Sequence, residues 1–323
     1  MFDFYSNLSI INNNRTPHTS PQQCVKWPMG GHFYKVCGML KQPTTYKQQI
    51  EKLREHGCII PDEAFCKSVL AEIGYYRLSA YFLPYRTANG DYRPGTNFEH
   101  VYSIYEFDKK LRRNLFSMLE ELEVYLRAQI SYFHAHKYGS DGYLNPANFN
   151  NRHNNKQFNK RINELLRNNS KATFVKHHMA VYSGNFPLWV ISELFTFGML
   201  SYFFADMITA DQKHVAFNSF NTTVVKMKSW LRCCTDLRNL CAHYSRLYYR
   251  VFPAVPVSLP NVNQSNENSV FAAIMALHAL YTDTDKWNGV FMPSLLTMFY
   301  EHRDVIENKH IGFPDDWVTL LRK

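Results

Sequence analysis

The hexapeptide RNLCAH, from Arg238 to His243, holds the side chains of this 323-residue chain that are best suited to chemistry. Histidine can accept or donate a proton near neutral pH, because its ordinary pKa is about 6.5. Arginine offers a fixed positive charge and a planar fork that matches two phosphate oxygens. The pair suits RNA cleavage without a metal, in which a 2′-hydroxyl attacks its own phosphate and the 5′-oxygen leaves. Arg238 would stabilise the phosphate, His243 would transfer protons, and Asn239 would position a group.

The residues before the hexapeptide predict the helix that positions it. Apolar side chains recur there at the three- and four-residue spacing of an amphipathic helix, at Trp230, Leu231, Cys234, Leu237, Leu240 and Cys241. Asn239 and His243 are four residues apart and share a face. Arg238 and His243 lie about 140° apart around an ideal helix. They can converge on one phosphate if the arginine swings over or if the helix ends near the motif.

Positive charge is concentrated around the hexapeptide. The chain carries a net charge of +9, which permits a polyanionic partner such as RNA. Six lysines and arginines but one acid, Asp236, lie between Thr223 and Arg250, whereas a solvated helix face usually mixes the two signs. We therefore predict RNA-binding side chains at Lys226, Lys228, Arg232, Arg246 and Arg250.

The bare spacing of an arginine and a later histidine has little value by itself. It occurs four times in this sequence, at Arg93/His100, Arg127/His134, Arg238/His243 and Arg303/His310. The pair in the hexapeptide is distinguished by an asparagine after the arginine and an alanine before the histidine. This richer pattern makes Arg238 and His243 the candidate pair.

Three further blocks accompany the hexapeptide, and the four together resemble a known family. The blocks are IGYYRLSAY at residues 73–81, YEFDKKLR at residues 105–112 with Glu120, Glu123 and Arg127 after it, and PLWVISELFTFG at residues 187–198. In this order they resemble the Abi_2 (AbiD/AbiF-like) abortive-infection family of bacterial phage-defence proteins. The hexapeptide itself resembles the Arg-x4–6-His motif of HEPN ribonucleases.

This resemblance implies an all-α fold, a HEPN-like helical bundle with additional N- and C-terminal helices. It implies a metal-independent endoribonuclease acting in abortive infection, without a cofactor, with a small non-coding RNA as a possible guide or inhibitor. Since such enzymes usually bring two motifs together across a two-fold axis, it also implies a homodimer. An acid or arginine on the long helix faces the cleft in this family, which places Arg127 behind the catalytic pair. From the sequence itself, Glu193 either pairs with a buried partner such as an arginine, which we prefer, or lines the cleft.

Several other classes of protein are disfavoured. The seven cysteines form no Cys-x-x-Cys pair, so no metal site is predicted, and reduced thiols without a secretion signal suggest a cytoplasmic protein. The long apolar stretch at residues 186–205 carries Glu193 near its centre, which favours a buried helix over a membrane span.

Hydrophobic periodicity predicts helices throughout the main domain. We expect residues 1–38 to be a disordered N-terminal arm or a mis-assigned start, and residues 39–323 to be a single Abi-like helical domain with the motif at 238–243. The longest helix is predicted at 98–137, and further helices at about 187–206, 269–281 and 293–308. The motif helix is predicted to begin at about 223, and residues 75–85 are predicted to form a helix or a turn.

Three alternatives remain open at this level. The chain could be a non-catalytic RNA-binding or phage-sensing helical protein, in which Arg238 holds phosphates and His243 is structural. It could be a general helical scaffold. If it is an enzyme, it could also be a monomer in which Arg127 and His134, seven residues apart on one helix face, supply the second half of the site.

Overall fold

The computed structural model describes residues 41–259 and 267–323, together with a short hairpin nearer the N-terminus. The hairpin pairs Trp27–Met29 (β1) with His32–Tyr34 (β2) in antiparallel register. The helices are Tyr46–Glu55 (α1), Glu63–Ile73 (α2), Tyr75–Phe82 (α3), Phe98–Tyr138 (α4), Asn155–Asn168 (α5), Thr173–Val181 (α6), Leu188–Ile191 (α7), Phe197–Asp206 (α8), Thr209–Phe220 (α9), Val224–Ala242 (α10), Val270–Leu280 (α11), Thr284–Lys286 (α12), Met292–Glu301 (α13) and Trp317–Leu321 (α14).

The all-α prediction is confirmed for the main domain. Outside the hairpin, the extended pairings among the described residues are isolated bridges. The hairpin was not expected in the N-terminal arm, and the rest of the predicted arm lies outside the described residues. In the part of the chain that the structure describes, no helix is long and apolar enough to cross a membrane.

Helix α4 is the element around which the others pack. Its 41 residues make a rod about 60 Å long. The side chain of Asn97 caps its first turn by accepting hydrogen bonds from the amides of Glu99 and His100. It ends at Gly139, whose φ of +85° favours glycine. Helices α3, α8, α10 and α13 lie against it, so α4 is the support on which the candidate motif is mounted.

The single helix predicted at 187–206 is wrong. The structure divides this stretch into α7, a 3-10 turn at Ser192–Leu194, and α8. Phe195 is extended between them, and the hydroxyl of Thr196 accepts from the amide of Met199 to begin α8. The carbonyls of Ser192 and Phe195 at the break accept hydrogen bonds from Arg127, at 2.9 and 3.1 Å. A capping threonine and an arginine from another helix therefore stabilise a break that hydrophobic periodicity does not show.

The predicted C-terminal helix at 293–308 is also too long, because α13 ends at Glu301. His302 follows the helix, and its Nδ1 hydrogen-bonds the carbonyl of Met298 at 2.9 Å. His302 is thus the residue at which the chain leaves the helix.

The buried carboxylate of Asp108 joins three separate parts of the chain. It accepts a hydrogen bond from the hydroxyl of Tyr81 on α3 at 2.6 Å and forms an ion pair with Arg112 on α4. It also accepts from the amides of Leu247 and Tyr248, just after α10, at 3.0 to 3.1 Å. Burial acts to lower the pKa of Arg112, but Asp108 and the neighbouring phenols more than offset it, and the pKa is raised. The positive charge of Arg112 is therefore kept. Burial raises the pKa of the Asp108 carboxyl, and the charge of Arg112 together with the hydrogen bonds from Tyr81, Leu247 and Tyr248 opposes this rise.

His134 on α4 is a buried histidine with no polar partner among the residues that the structure describes. Its ring is fully buried and packs against Tyr138, Phe149 and Phe203. Within residues 41–259 and 267–323, neither of its ring nitrogens has a hydrogen-bond partner. Burial lowers the pKa of His134 to about 4. The alternative that used His134 as a second catalytic histidine is therefore disfavoured, since a substrate cannot reach its nitrogens without opening the core.

Replacing Asp108 with asparagine should destabilise the fold strongly. The change leaves the buried Arg112 charge without a counter-ion, which typically costs about 3–5 kcal/mol. Chemical denaturation measures this loss as a drop in the free energy of unfolding. The matched control is Glu106→Gln, which breaks a partly exposed pair with Lys109 and should cost less than about 1 kcal/mol. Similar losses for the two variants would contradict the central role of Asp108.

The burial of His134 predicts an acid-sensitive stability. Its folded pKa of about 4 lies below an unfolded value of about 6.5, so the unfolded chain binds the proton more tightly. Stability should be lost as the pH falls through this window, with His134 contributing about 2 kcal/mol of loss by about pH 5.

Denaturation of the wild type and of His134→Leu at neutral pH and near pH 5 tests this contribution. The variant should lose less stability on acidification, whereas a control His177→Leu, which changes an exposed histidine, should behave like the wild type. An equal acid loss in His134→Leu would show that His134 does not contribute.

Candidate functional site

Helix α10 ends at the motif. His243 is its C-terminal cap, and the next residue, Tyr244, has a left-handed φ of +55°. The amide of Tyr244 donates to the carbonyl of Cys241 at 3.1 Å, and that of Ser245 donates to Leu240 at 2.9 Å. This pair of bonds is a Schellman motif, in which glycine usually takes the left-handed place. The helix therefore ends at the motif, which is one of the two conditions under which Arg238 and His243 can converge on one phosphate.

His243 is exposed at this helix end. Among the described residues, its imidazole has neither a hydrogen-bond partner nor an ion-pair partner. Asn239 is exposed one turn earlier on the same face, and its carbonyl accepts the amide of His243 at 3.0 Å. Both side chains are open to a ligand, in contrast to the buried ring of His134.

Arg238 turns toward α4 and is partly exposed, with 27% of its side chain accessible. Its Nε lies 3.3 Å from Oε2 of Glu123, an ion-pair distance without hydrogen-bonding geometry. Its guanidinium carbon lies 5.9 Å from the centre of the Phe116 ring. Glu123 and Phe116 thus fix the direction of the Arg238 side chain. Neither residue was predicted from the sequence to belong to the site. Glu123 could have been found from its four-residue spacing to Arg127, which allows the two side chains to pair on one helix face.

Arg127 and Glu193 lie behind this pair. Arg127 donates to the other oxygen of Glu123 at 3.2 Å, so Glu123 bridges Arg127 and Arg238. Glu193 is largely exposed, and its Oε2 lies 3.9 Å from Nη1 of Arg127. Both line a mainly apolar cleft of about 670 Å³ whose wall includes Trp189. The connection from Arg127 to the motif therefore runs through one carboxylate.

Lys228 and Arg232 share a helix face with Asn239 and His243, since their spacings are four, seven and four residues. They line a cleft of about 760 Å³ together with Tyr202, which is 65% exposed. Burial, reinforced by nearby Arg152, lowers the pKa of Lys228. These two of the predicted RNA-binding residues are thus aligned with the motif.

The other three predicted RNA-binding residues lie elsewhere. Lys226 is on another face of α10, with its ammonium 5.8 Å from the centre of the Trp230 ring. Arg246 follows the helix and donates to the carbonyl of Ala80 on α3, and burial lowers its pKa. Arg250 also follows the helix, and burial and the charge of Arg246 lower its pKa. The structure therefore does not bring all five cations onto one face.

The cysteine inside the motif is not poised for nucleophilic chemistry. Cys241 is a free, buried thiol, and burial raises its pKa to about 12. Cys233 and Cys234 are likewise buried on α10. In residues 41–259 and 267–323, no group of three or more histidine, cysteine, aspartate or glutamate side chains is placed to hold a metal ion.

Comparison with known proteins identifies the family of this chain. The family model described as Abi-like protein matches residues 68–249, which is more than half of the sequence. The match runs from α2 through α4 and α10 and includes the whole motif. Neither the curated proteins nor the solved structures gave a match, so the HEPN-like character of the bundle stays a prediction. The chain belongs to the Abi-like protein family.

Proposed function

We propose that this Abi-like protein is a metal-independent endoribonuclease of bacterial abortive infection, in which Arg238 and His243 are the catalytic pair. The observation that carries the proposal is the exposed imidazole of His243, which has no partner among the described residues, at the end of the helix that also carries Arg238. A buried structural histidine such as His134 has no such access to solvent. Membership of the Abi-like family supports the role in phage defence.

The reaction transfers protons on two sides of one phosphate. A neutral imidazole removes the proton of the 2′-hydroxyl as that oxygen bonds to phosphorus. The bond from phosphorus to the 5′-oxygen breaks, and this oxygen receives a proton from a protonated imidazole. Arg238 stabilises the charge on the non-bridging oxygens. The products are a 2′,3′-cyclic phosphate and a 5′-hydroxyl.

Glu123 has a positioning role in this proposal. Its carboxylate lies between Arg238 and Arg127. When a phosphate approaches Arg238, the phosphate oxygens replace part of the contact between Arg238 and Glu123. Because Arg127 retains its bonds to Ser192 and Phe195, Glu123 keeps one cationic partner when Arg238 binds the phosphate. The arginine is therefore held close to its working position before the substrate arrives.

The exposed face of α10 supplies a path for the RNA strand. From Lys228 to His243 it extends about 22 Å along the helix axis. Lys228 and Arg232 bind phosphates on this path, and the exposed ring of Tyr202 is available for stacking on an unpaired base. A small non-coding RNA that acts as guide or inhibitor would use the same face.

The chemistry favours a homodimer. One imidazole cannot serve both the attacking and the leaving oxygen at the same moment, and each chain carries one complete motif. A two-fold axis places the same residue of both subunits face to face. We propose that this axis runs close to His243, so that one histidine acts as base and its counterpart as acid.

Replacing His243 with alanine should abolish cleavage and preserve RNA binding. The loss should be about 10²- to 10⁴-fold or more, which is the usual contribution of a general acid or base. The measurement is cleavage of a labelled single-stranded RNA, with the product ends identified and EDTA present. His177→Ala, which changes another exposed histidine, is the matched control. Full activity in His243→Ala, or products that end in a 3′-hydroxyl, would contradict the mechanism.

The active species should have the mass of a dimer. Light scattering at the concentration of the cleavage assay measures this mass directly. Adding an excess of inactive His243→Ala to the wild type should reduce its activity, because each mixed dimer retains one histidine where the reaction needs two. An active species that stays monomeric would rule out the shared site.

A further inference from the structure

A second basic cleft adjoins the motif on the other side of the α10 terminus. It lies between α3, α4 and the end of α10, and we call it the α3–α4 cleft. Its volume is about 470 Å³, within the range of small-ligand sites. The residues that matter to the argument are Arg77, Lys109, Arg113, Phe116, Ala242 and Tyr244. None of the described side chains that line it is acidic.

Two of the cations in the α3–α4 cleft have no counter-ion in the described part of the chain. Lys109 pairs with Glu106 at 3.0 Å, and Arg112 pairs with the buried Asp108. Arg113 is exposed and forms neither a hydrogen bond nor an ion pair within the described residues. Arg77 donates a hydrogen bond from one guanidinium nitrogen to the carbonyl of Tyr244, at 2.9 Å, and has no acidic partner among the described residues. The guanidinium groups of Arg77 and Arg113 are therefore free to attract a phosphate.

The cleft also presents aromatic surface beside the motif. Tyr244 is 68% exposed, directly after His243. Its backbone is held by the Schellman bonds and by Arg77, so the exposed ring stands on a fixed base. Phe116 lines the cleft and also contacts Arg238. A base that enters the cleft thus meets aromatic rings within reach of the catalytic arginine.

We propose that the α3–α4 cleft binds the nucleotide next to the scissile phosphate of a single-stranded RNA. Arg113 and Arg77 hold its phosphate, and Tyr244 stacks on its unpaired base. Stacking requires a base that is free of a duplex, so the cleft selects single strands. The proposal rests on the proposed function for the purpose of the bound strand, but binding itself can be measured without cleavage.

The charge of Arg113 is tested by binding of a fluorescently labelled single-stranded RNA to the full chain. All proteins carry His243→Ala, so the RNA stays intact. Adding Arg113→Gln should weaken binding about threefold to tenfold at moderate salt. It should also reduce the slope of log affinity against log salt by about 0.7, which corresponds to one lost phosphate contact. Arg167→Gln, an exposed arginine on α5 without a described partner, is the matched control and should change neither quantity.

The stacking role is tested at Tyr244 in the same background. Tyr244→Ala should weaken binding to single-stranded RNA by about 5- to 100-fold, whereas Tyr244→Phe should retain it, because the ring is kept. Duplex RNA should show no such difference. Tyr132→Ala is the control, since this tyrosine is 67% exposed on the same helix as Phe116 but about 24 Å further along.

The outcomes separate this inference from the proposed function. If the wild type does not cleave RNA, the nuclease proposal is wrong. If Arg113→Gln and Tyr244→Ala then still weaken RNA binding, the proposal for the α3–α4 cleft is supported. A wild type that cleaves RNA, with both variants binding like their controls, would overturn the cleft and leave the nuclease proposal in place. If Tyr244→Ala does not fold, the RNA binding of Arg113→Gln alone decides whether the proposal for the cleft holds.

Discussion

The placement of the motif depends on the ion pair and the hydrogen bonds of the buried Asp108 carboxylate. A buried carboxylate is tolerated when it is paired and hydrogen-bonded, and Asp108 obtains these partners from three segments that are far apart in sequence. Tyr81 comes from α3, Arg112 from α4, and two amides from the turn after α10. The segment that follows His243 therefore cannot move away from α3 and α4 without leaving a buried charge unsatisfied.

Arg127 has a comparable role on the other side of α10. Its guanidinium stabilises the break between α7 and α8 and also contacts Glu123, which contacts Arg238. Three of the sequence blocks that resemble the Abi-like family thus meet in one chain of contacts. Each of these three blocks therefore supplies a contact partner for a residue of another block.

The two Arg/His pairs at 127/134 and 238/243 show why spacing alone does not identify a site. His134 lies in the middle of a long helix, where aromatic rings surround it and burial lowers its pKa. His243 caps the end of a shorter helix, where its ring projects from the core. The same two residue types are therefore structural in one place and available for chemistry in the other.

Much of the helical framework could be predicted from the sequence, because it depends on local periodicity and capping. Helix α4 lies close to its predicted bounds, and the motif helix begins within one residue of its predicted start. The all-α class and the family followed from the same residues. Lys228 and Arg232 could be placed on the face of His243, since they share its helix.

Tertiary structure alone decided the features that depend on distant partners. The break at Phe195 relies on Arg127, which is 68 residues away in sequence, so no local pattern reveals it. Arg246 belongs to the same cluster of positive charge as Arg232, yet it packs on α3 because the chain has already left the helix. Arg113 lines the α3–α4 cleft and has no counter-ion among the described residues, whereas its neighbour Arg112 forms an ion pair with Asp108. Sequence records the charge of each side chain, but the direction in which that charge points is set by the elements packed around it.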